Sequence, residues 1–322
     1  MQPSAKTMDS KRSEVIGNPT GAAESTVALL RHLIDYAGLF PPASLSMAQA
    51  VANYDTYLHS EHNWILGRFI VPVSRLDEFG KALVVLPVAA TPKLNDWRLS
   101  VLLGPDTAAD VAHIYELDDE MAHLSGRRRV IIESVEVKVA SPGEVTKLAT
   151  TIPVQLETYF EIPLANAREC IAAIAACGRR AKIRTGGETA DKVPAPEKVI
   201  EFIRLCAAAN VAFKATAGLH HPLRSSHPFT YQPDSPHGIM HGFLNVFLAA
   251  AFLRMGMEPA LALELLTEHS PQAFQFDSEV VCWREHRLAV SQIAAARDTF
   301  SVSFGSCSFT EPIEDLRSLR LL

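Results

Sequence analysis

The chain has 322 residues, 48% apolar and 20% charged, which is globular composition with enough length for one large α/β domain or two ordinary ones. A formal charge of −6, with no basic block beyond Arg127, Arg128 and Arg129, excludes a nucleic-acid surface, and the longest apolar run, residues 243–253, is too short to span a bilayer. Five scattered cysteines (Cys170, Cys177, Cys206, Cys282 and Cys307) read as reduced core residues of a cytoplasmic protein.

Residues 1–25 are rich in Pro, Gly and Ser and lack an apolar stretch, so they read as a disordered lead-in rather than a secretory signal. The remainder, 26–322, reads as one domain. Its first element, "LRHLIDYAGLF" (30–40), fits either a strand or a helix, since Leu29, Leu30, Leu33 and Ile34 also make a helical stripe. Read as a strand, it sends Asp35 to the strand's C-terminal end; read as a helix end, it leaves Asp35 solvated.

β-rich runs follow at 67–73, 99–104, 130–139, 154–162, 181–187, 211–219 and 300–309, with helix-length stretches between the first six. Two of those helices announce their ends. "SPGEVTKLATTI" opens with Ser141 as N-cap, Pro142 in the first turn and Glu144 three residues on, and "APEKVIEFIRLCAAAN" begins at Pro196 and stops at Asn210. Strand starts spaced by roughly 24 to 32 residues match one βα unit each, and eight such units close a TIM-type (βα)8 barrel of about 250 residues. A doubly wound open sheet is the alternative. The stretch 222–299 is too long for one crossover helix. It predicts a helical insertion after the seventh strand, with helices in "HGFLNVFLAAAFLRMG", "EPALALELLTEH" and "RLAVSQIAAARDT".

Polar groups gather at the C-terminal halves of successive strands: Ser134, Glu136 and Lys138; Glu157 and Glu161; Lys182 and Arg184; Lys214 and Thr216. Even spacing puts each set on one face of its strand, and in a closed barrel those faces share one mouth. Taken singly, each group reads as a solvated or ion-paired charge. Lys182 and Lys214, however, occupy equivalent points of neighbouring apolar strands. A lysine desolvated beside a second cation loses its proton more readily and becomes an amine able to attack a carbonyl. Arg184 with Gly186 and Gly187 offers an anion cradle or a plain tight turn, and Gly305 with Ser306 before the last helix offers a second, phosphate-type site.

"AKIRTGG" and "FKATAGL" resemble the paired-lysine strands of deoxyribose-phosphate-type class I aldolases over roughly 40 residues. The resemblance implies that the sixth-strand lysine forms an imine and the seventh-strand lysine tunes it. Counting places Lys182 on the sixth strand and Lys214 on the seventh, whereas local wording matches "FKATAG" to the imine-forming segment, so both assignments stay open. Carboxylates from Glu136 or Glu157 would shuttle the proton, and His220 and His221 would assist from the rim.

Five histidines within 22 residues carry the competing reading. His237 and His241, spaced i, i+4, would share a helix face, and with His220 or His221 and a carboxylate they would bind a divalent metal that activates water. The sequence thus points to a cofactor-free lyase acting on a small anionic carbonyl compound. A metal-dependent hydrolase or isomerase is the alternative, and a non-catalytic metabolite-binding barrel is a third reading; a homo-oligomer is compatible with each.

Overall fold

The computed structural model describes residues 21–86, 96–124 and 129–322, and in the helix Thr107–Leu124 it describes side chains only as far as residue 117. The predicted lead-in therefore falls almost wholly outside the described residues. Its boundary is corrected: helix α1 (Glu24–Leu30) already begins at Glu24, with Ser25 and Thr26 buried.

Eight strands form a closed, all-parallel barrel: β1 (Ile34–Tyr36), β2 (Leu66–Pro72), β3 (Trp97–Leu102), β4 (Val130–Lys138), β5 (Glu157–Glu161), β6 (Arg180–Arg184), β7 (Phe213–Thr216) and β13 (Ser301–Ser306). Helices α2 (Met47–Leu58), α3 (Leu76–Val85), α4 (Thr107–Leu124), α5 (Pro142–Thr151), α6 (Ala167–Ala176) and α7 (Pro196–Ala208) connect consecutive strands, and α11 (Thr310–Ser318) follows the last. The ambiguous segment at 30–40 is the first barrel strand. Its three residues are all buried, and Ile34, Asp35 and Tyr36 pair with Phe304, Gly305 and Ser306 of β13 to close the ring.

Local chemistry accounts for the helix ends. Ser141 Oγ accepts the Glu144 amide, and Glu144 returns the favour to the Ala140 amide at 2.7 Å, one residue earlier than a regular capping box. After α7, Asn210 adopts φ +53°, the left-handed turn that ends a helix.

The hydrophobic core lies between the strands and the helices. Outward-facing Phe69 and Trp97 pack against Tyr54 of α2 and Phe79 of α3, with Tyr54–Trp97 centroids 4.8 Å apart. Inside the barrel, where branched apolar side chains usually fill the layers, the side chains are charged. Near the N-terminal ends of the strands, Glu133 takes Arg68 at 2.9 Å and Arg98 at 2.6 Å, and Glu157 takes Arg68 at 3.1 Å, Arg180 at 2.7 Å and the Tyr159 hydroxyl at 2.6 Å. Glu133 reaches this layer through an irregularity in the β3–β4 pairing: Leu99 pairs with Ile132 but Ser100 with Ser134. The extra residue sends Glu133 inward as well as Ser134.

The insertion between β7 and β13 contains the three expected helices, α8 (Phe243–Arg254), α9 (Pro259–Leu266) and α10 (Val290–Thr299). It also contains two small antiparallel sheets that an all-helical insertion did not anticipate. One is the hairpin β8 (Ser225–Pro228) and β9 (His237–Met240); the other joins β10 (Phe274–Phe276), β11 (Val280–Trp283) and β12 (His286–Ala289). No helix among the described residues is long and apolar enough to cross a membrane.

Candidate active site

The parallel register sets the site. Lys182 on β6 and Lys214 on β7 are direct register partners, and Glu161 on β5 is the partner of Lys182. Lys214 Nζ crosses the barrel to Asp35 on β1 and Glu136 on β4, each at 2.6 Å. Lys182 Nζ lies 2.7 Å from the other oxygen of Glu136 and 2.9 Å from Glu161. The result is a chain of alternating charge, Glu161–Lys182–Glu136–Lys214–Asp35, with Glu136 as its centre. Neutral donors complete it: Ser134 Oγ donates to Ser100 Oγ, which donates to Glu136 at 2.6 Å, and Ser303 Oγ donates to Asp35 at 2.8 Å.

This corrects the expectation of crowded cations. A carboxylate separates the two ammonium groups, so although burial disfavours a charged Lys214, Asp35 and Glu136 outweigh it and raise its pKa. Burial likewise opposes ionisation of Glu136 and Asp35, but the lysines prevail and hold both carboxyls below their ordinary values.

A cavity of about 680 Å³ opens above this chain at the C-terminal ends of the strands. Lys182, Glu136 and Glu161 make its floor; Lys214 is 0% exposed and does not border it, whereas Lys182 is 4% exposed and does. Asp35, expected at the mouth, sits beneath the floor against Lys214. Glu157, also expected there, belongs to the arginine layer at the opposite end of the barrel. The alternation that grouped it with Glu161 was right about the face but not about the depth.

Around the wall, Thr216, Gly305, Lys138, Arg184 and Lys192 border the cavity. Arg184 donates to Glu161 at 3.1 Å. The glycine cradle is only half realised. Gly187 is on the wall, but Gly186 lies under it, where a Cβ would stand 2.7 Å from the α-carbon of Gly218; the position serves close packing of two loops. Ser306 is buried off the wall and accepts the Ser308 amide.

The histidines divide. His220 and His221 border the cavity, together with His227, whose ring stacks on His221 at 3.3 Å between centroids. Burial and the adjacent His221 lower the pKa of His227 to about 4. His237 and His241 do not share a helix face: His237 is in β9, α8 starts at Phe243, and His241 is buried with Nε2 2.8 Å from the Pro194 carbonyl oxygen. Among the described residues, no three His, Cys, Asp or Glu side chains converge as metal ligands. Several wall residues escaped the sequence reading, among them Lys192, Phe229 and Tyr231, and Cys307 was taken as a core thiol.

No protein-family model and no curated protein matches this chain.

Proposed function

We propose that the protein is an enzyme acting on a small anionic carbonyl compound through an imine formed on Lys182. One observation carries this reading: the Lys182 ammonium lies on the cavity floor between two carboxylates, while Lys214 is sealed beneath it. The roles follow the strand count, with the sixth-strand lysine reacting and the seventh-strand lysine tuning.

An imine needs a free amine, so Lys182 must first release a proton. Glu161 Oε2, 2.9 Å away and bordering the cavity, is the acceptor; Glu136 is already engaged by Lys214 and Ser100. On transfer, Lys182 and Glu161 lose their charges together, and Glu136 keeps Lys214 as counter-ion. The site stays electrostatically balanced. The amine then adds to the carbonyl carbon, Glu161 returns its proton to the oxygen, takes a second proton from the nitrogen and passes it to the resulting hydroxyl, and water leaves as the carbon–nitrogen double bond forms. The resulting iminium draws electrons from the neighbouring carbon, which permits a carbon–carbon bond to break or form there. Lys138, Arg184 and Lys192 on the wall supply positive charge for a carboxylate or phosphate of the substrate.

Borohydride added with a panel of small aldehydes and keto acids is expected to fix a reduced adduct on Lys182, located by peptide mass. Lys182→Arg keeps the cation but cannot form the imine, so it should abolish both trapping and turnover in a folded protein. An activity that survives this substitution and is removed by chelators would replace the imine reading with metal-dependent hydrolysis.

A further inference from the structure

The upper wall of the cavity holds a second constellation, built from elements other than those of the lysine floor. Cys307 follows β13 directly, with its Sγ 3.8 Å from His220 Nε2. The other ring nitrogen, Nδ1, is 2.8 Å from Glu311 Oε2 on α11. Tyr231, beyond β8, closes the group, with its hydroxyl 3.7 Å from Sγ and 3.2 Å from the same Glu311 oxygen. All four residues border the cavity. Ser308 Oγ accepts the Glu311 amide at 3.1 Å, fixing the start of α11 and with it the carboxylate that orients the imidazole.

This is the relation of nucleophile, base and orienting group found in acyl-transfer and thiol chemistry, with a nucleophile-to-base distance in the looser range of unliganded sites. We propose that Cys307 is a second nucleophile of this cavity, activated by His220 and Glu311, and that it takes the carbonyl carbon of a small aldehyde. In the step, Sγ forms a bond to the carbonyl carbon and the π pair moves to oxygen. The single proton shared by Sγ and Nε2 goes to that oxygen, giving a neutral hemithioacetal. The Nδ1 proton stays on the ring, donated to Glu311. No oxidant or further reactant is consumed.

The charges facing His220 favour a ring that carries the proton. Burial opposes it, but Cys307 and Glu311 outweigh burial and raise its pKa to about 10. Tyr231 reaches it through those two partners, and His221, centroid 6.4 Å away, is itself tied to Asp315 at 2.7 Å. The site does not depend on the imine reading, because none of its members touches Lys182, Glu136 or Glu161 within hydrogen-bond distance.

The test is iodoacetamide labelling of the full chain at pH 6, resolved by peptide mass, with Cys170, Cys177, Cys206 and Cys282 as internal references. Cys307 is expected to label fastest, and His220→Gln to slow it about tenfold or more, because an unassisted thiol is almost wholly protonated at that pH. Glu311→Gln should slow it less, and serves in place of His220→Gln if that variant does not fold. Glyoxylate should protect Cys307 in the wild type and equally in Lys182→Arg, separating this site from the lysine. Labelling no faster than Cys177, or rates unchanged in both variants, overturns the nucleophile. Fast labelling without glyoxylate protection overturns the aldehyde assignment.

Discussion

Glu136 is the residue on which the interior turns. It is about 1% exposed, and its two oxygens hold two ammonium groups, so a change of charge there is felt on both sides. Glu136→Gln keeps the shape and removes the charge, leaving Lys182 to Glu161 and Lys214 to Asp35. Breaking a buried ion pair from one side costs about 3 to 5 kcal/mol, and a loss of this order is expected in urea unfolding. The sequence displayed part of this arrangement. Lys182 and Lys214 stood out because each interrupts an apolar strand, and Glu136 because it alternates evenly with Ser134 and Lys138. Asp35 as partner of Lys214 was hidden, since the pair is 179 residues apart and exists only when the first strand closes on the last. Glu133 was hidden for another reason: the bulge breaks the two-residue period on which face assignments rest. Cys307 was read as core because burial and a place on a cavity wall look alike in an apolar stretch.

At the level of elements, strands with apolar runs and helices with marked ends were visible in the sequence. The two sheets of the insertion were not. Their strands are three or four residues long, and β8 and β9, "SSHP" and "HGIM", carry none of the branched alternation that identifies a strand; they form because each supplies the other's hydrogen bonds. The consequence for the site is direct, since a helix over 237–241 would have gathered two histidines that the hairpin disperses. The loops after β6 and β7 meet at Gly186 and Gly218, and Gly218 also has φ +76°. Gly218→Ala would place a Cβ 2.8 Å from the Gly186 α-carbon while forcing a conformation alanine resists. The expected loss is about 2 kcal/mol or more. Urea unfolding checks it, and because His220 lies two residues further along the same loop and faces Cys307 at the end of the neighbouring strand, iodoacetamide labelling of Cys307 should slow as well.

Across the whole molecule, the charged interior sets a pH profile whose two arms have different origins. Asp35 and Glu136 have lowered values, so their contribution is present above the unfolded values of 3.8 and 4.5 and is lost as pH falls below them. Lys214 and His220 have raised values, so theirs is full below the unfolded values of 10.5 and 6.5 respectively. His220's contribution fades as pH rises from 6.5 through about 10, and that of Lys214 only above 10.5. Urea midpoints measured against pH are expected to fall steeply on the acid side and gently from neutrality upward. His220→Gln should flatten the alkaline slope and, because His220 also holds Glu311 below its ordinary value, ease the acid arm slightly while leaving the share of Asp35 and Glu136 in place.

The arginine layer at the N-terminal ends of the strands has a kinetic meaning. Arg68, Arg98 and Arg180 with Glu133 and Glu157 cork the barrel from below, and the wide opening is above. Among the described residues, the cavity therefore has one doorway. On the proposed reading, a departing product and an arriving substrate would pass through the same throat beside the β8–β9 hairpin and the loops after β6 and β7, so they would exclude one another, and turnover would be a strict alternation of emptying and refilling.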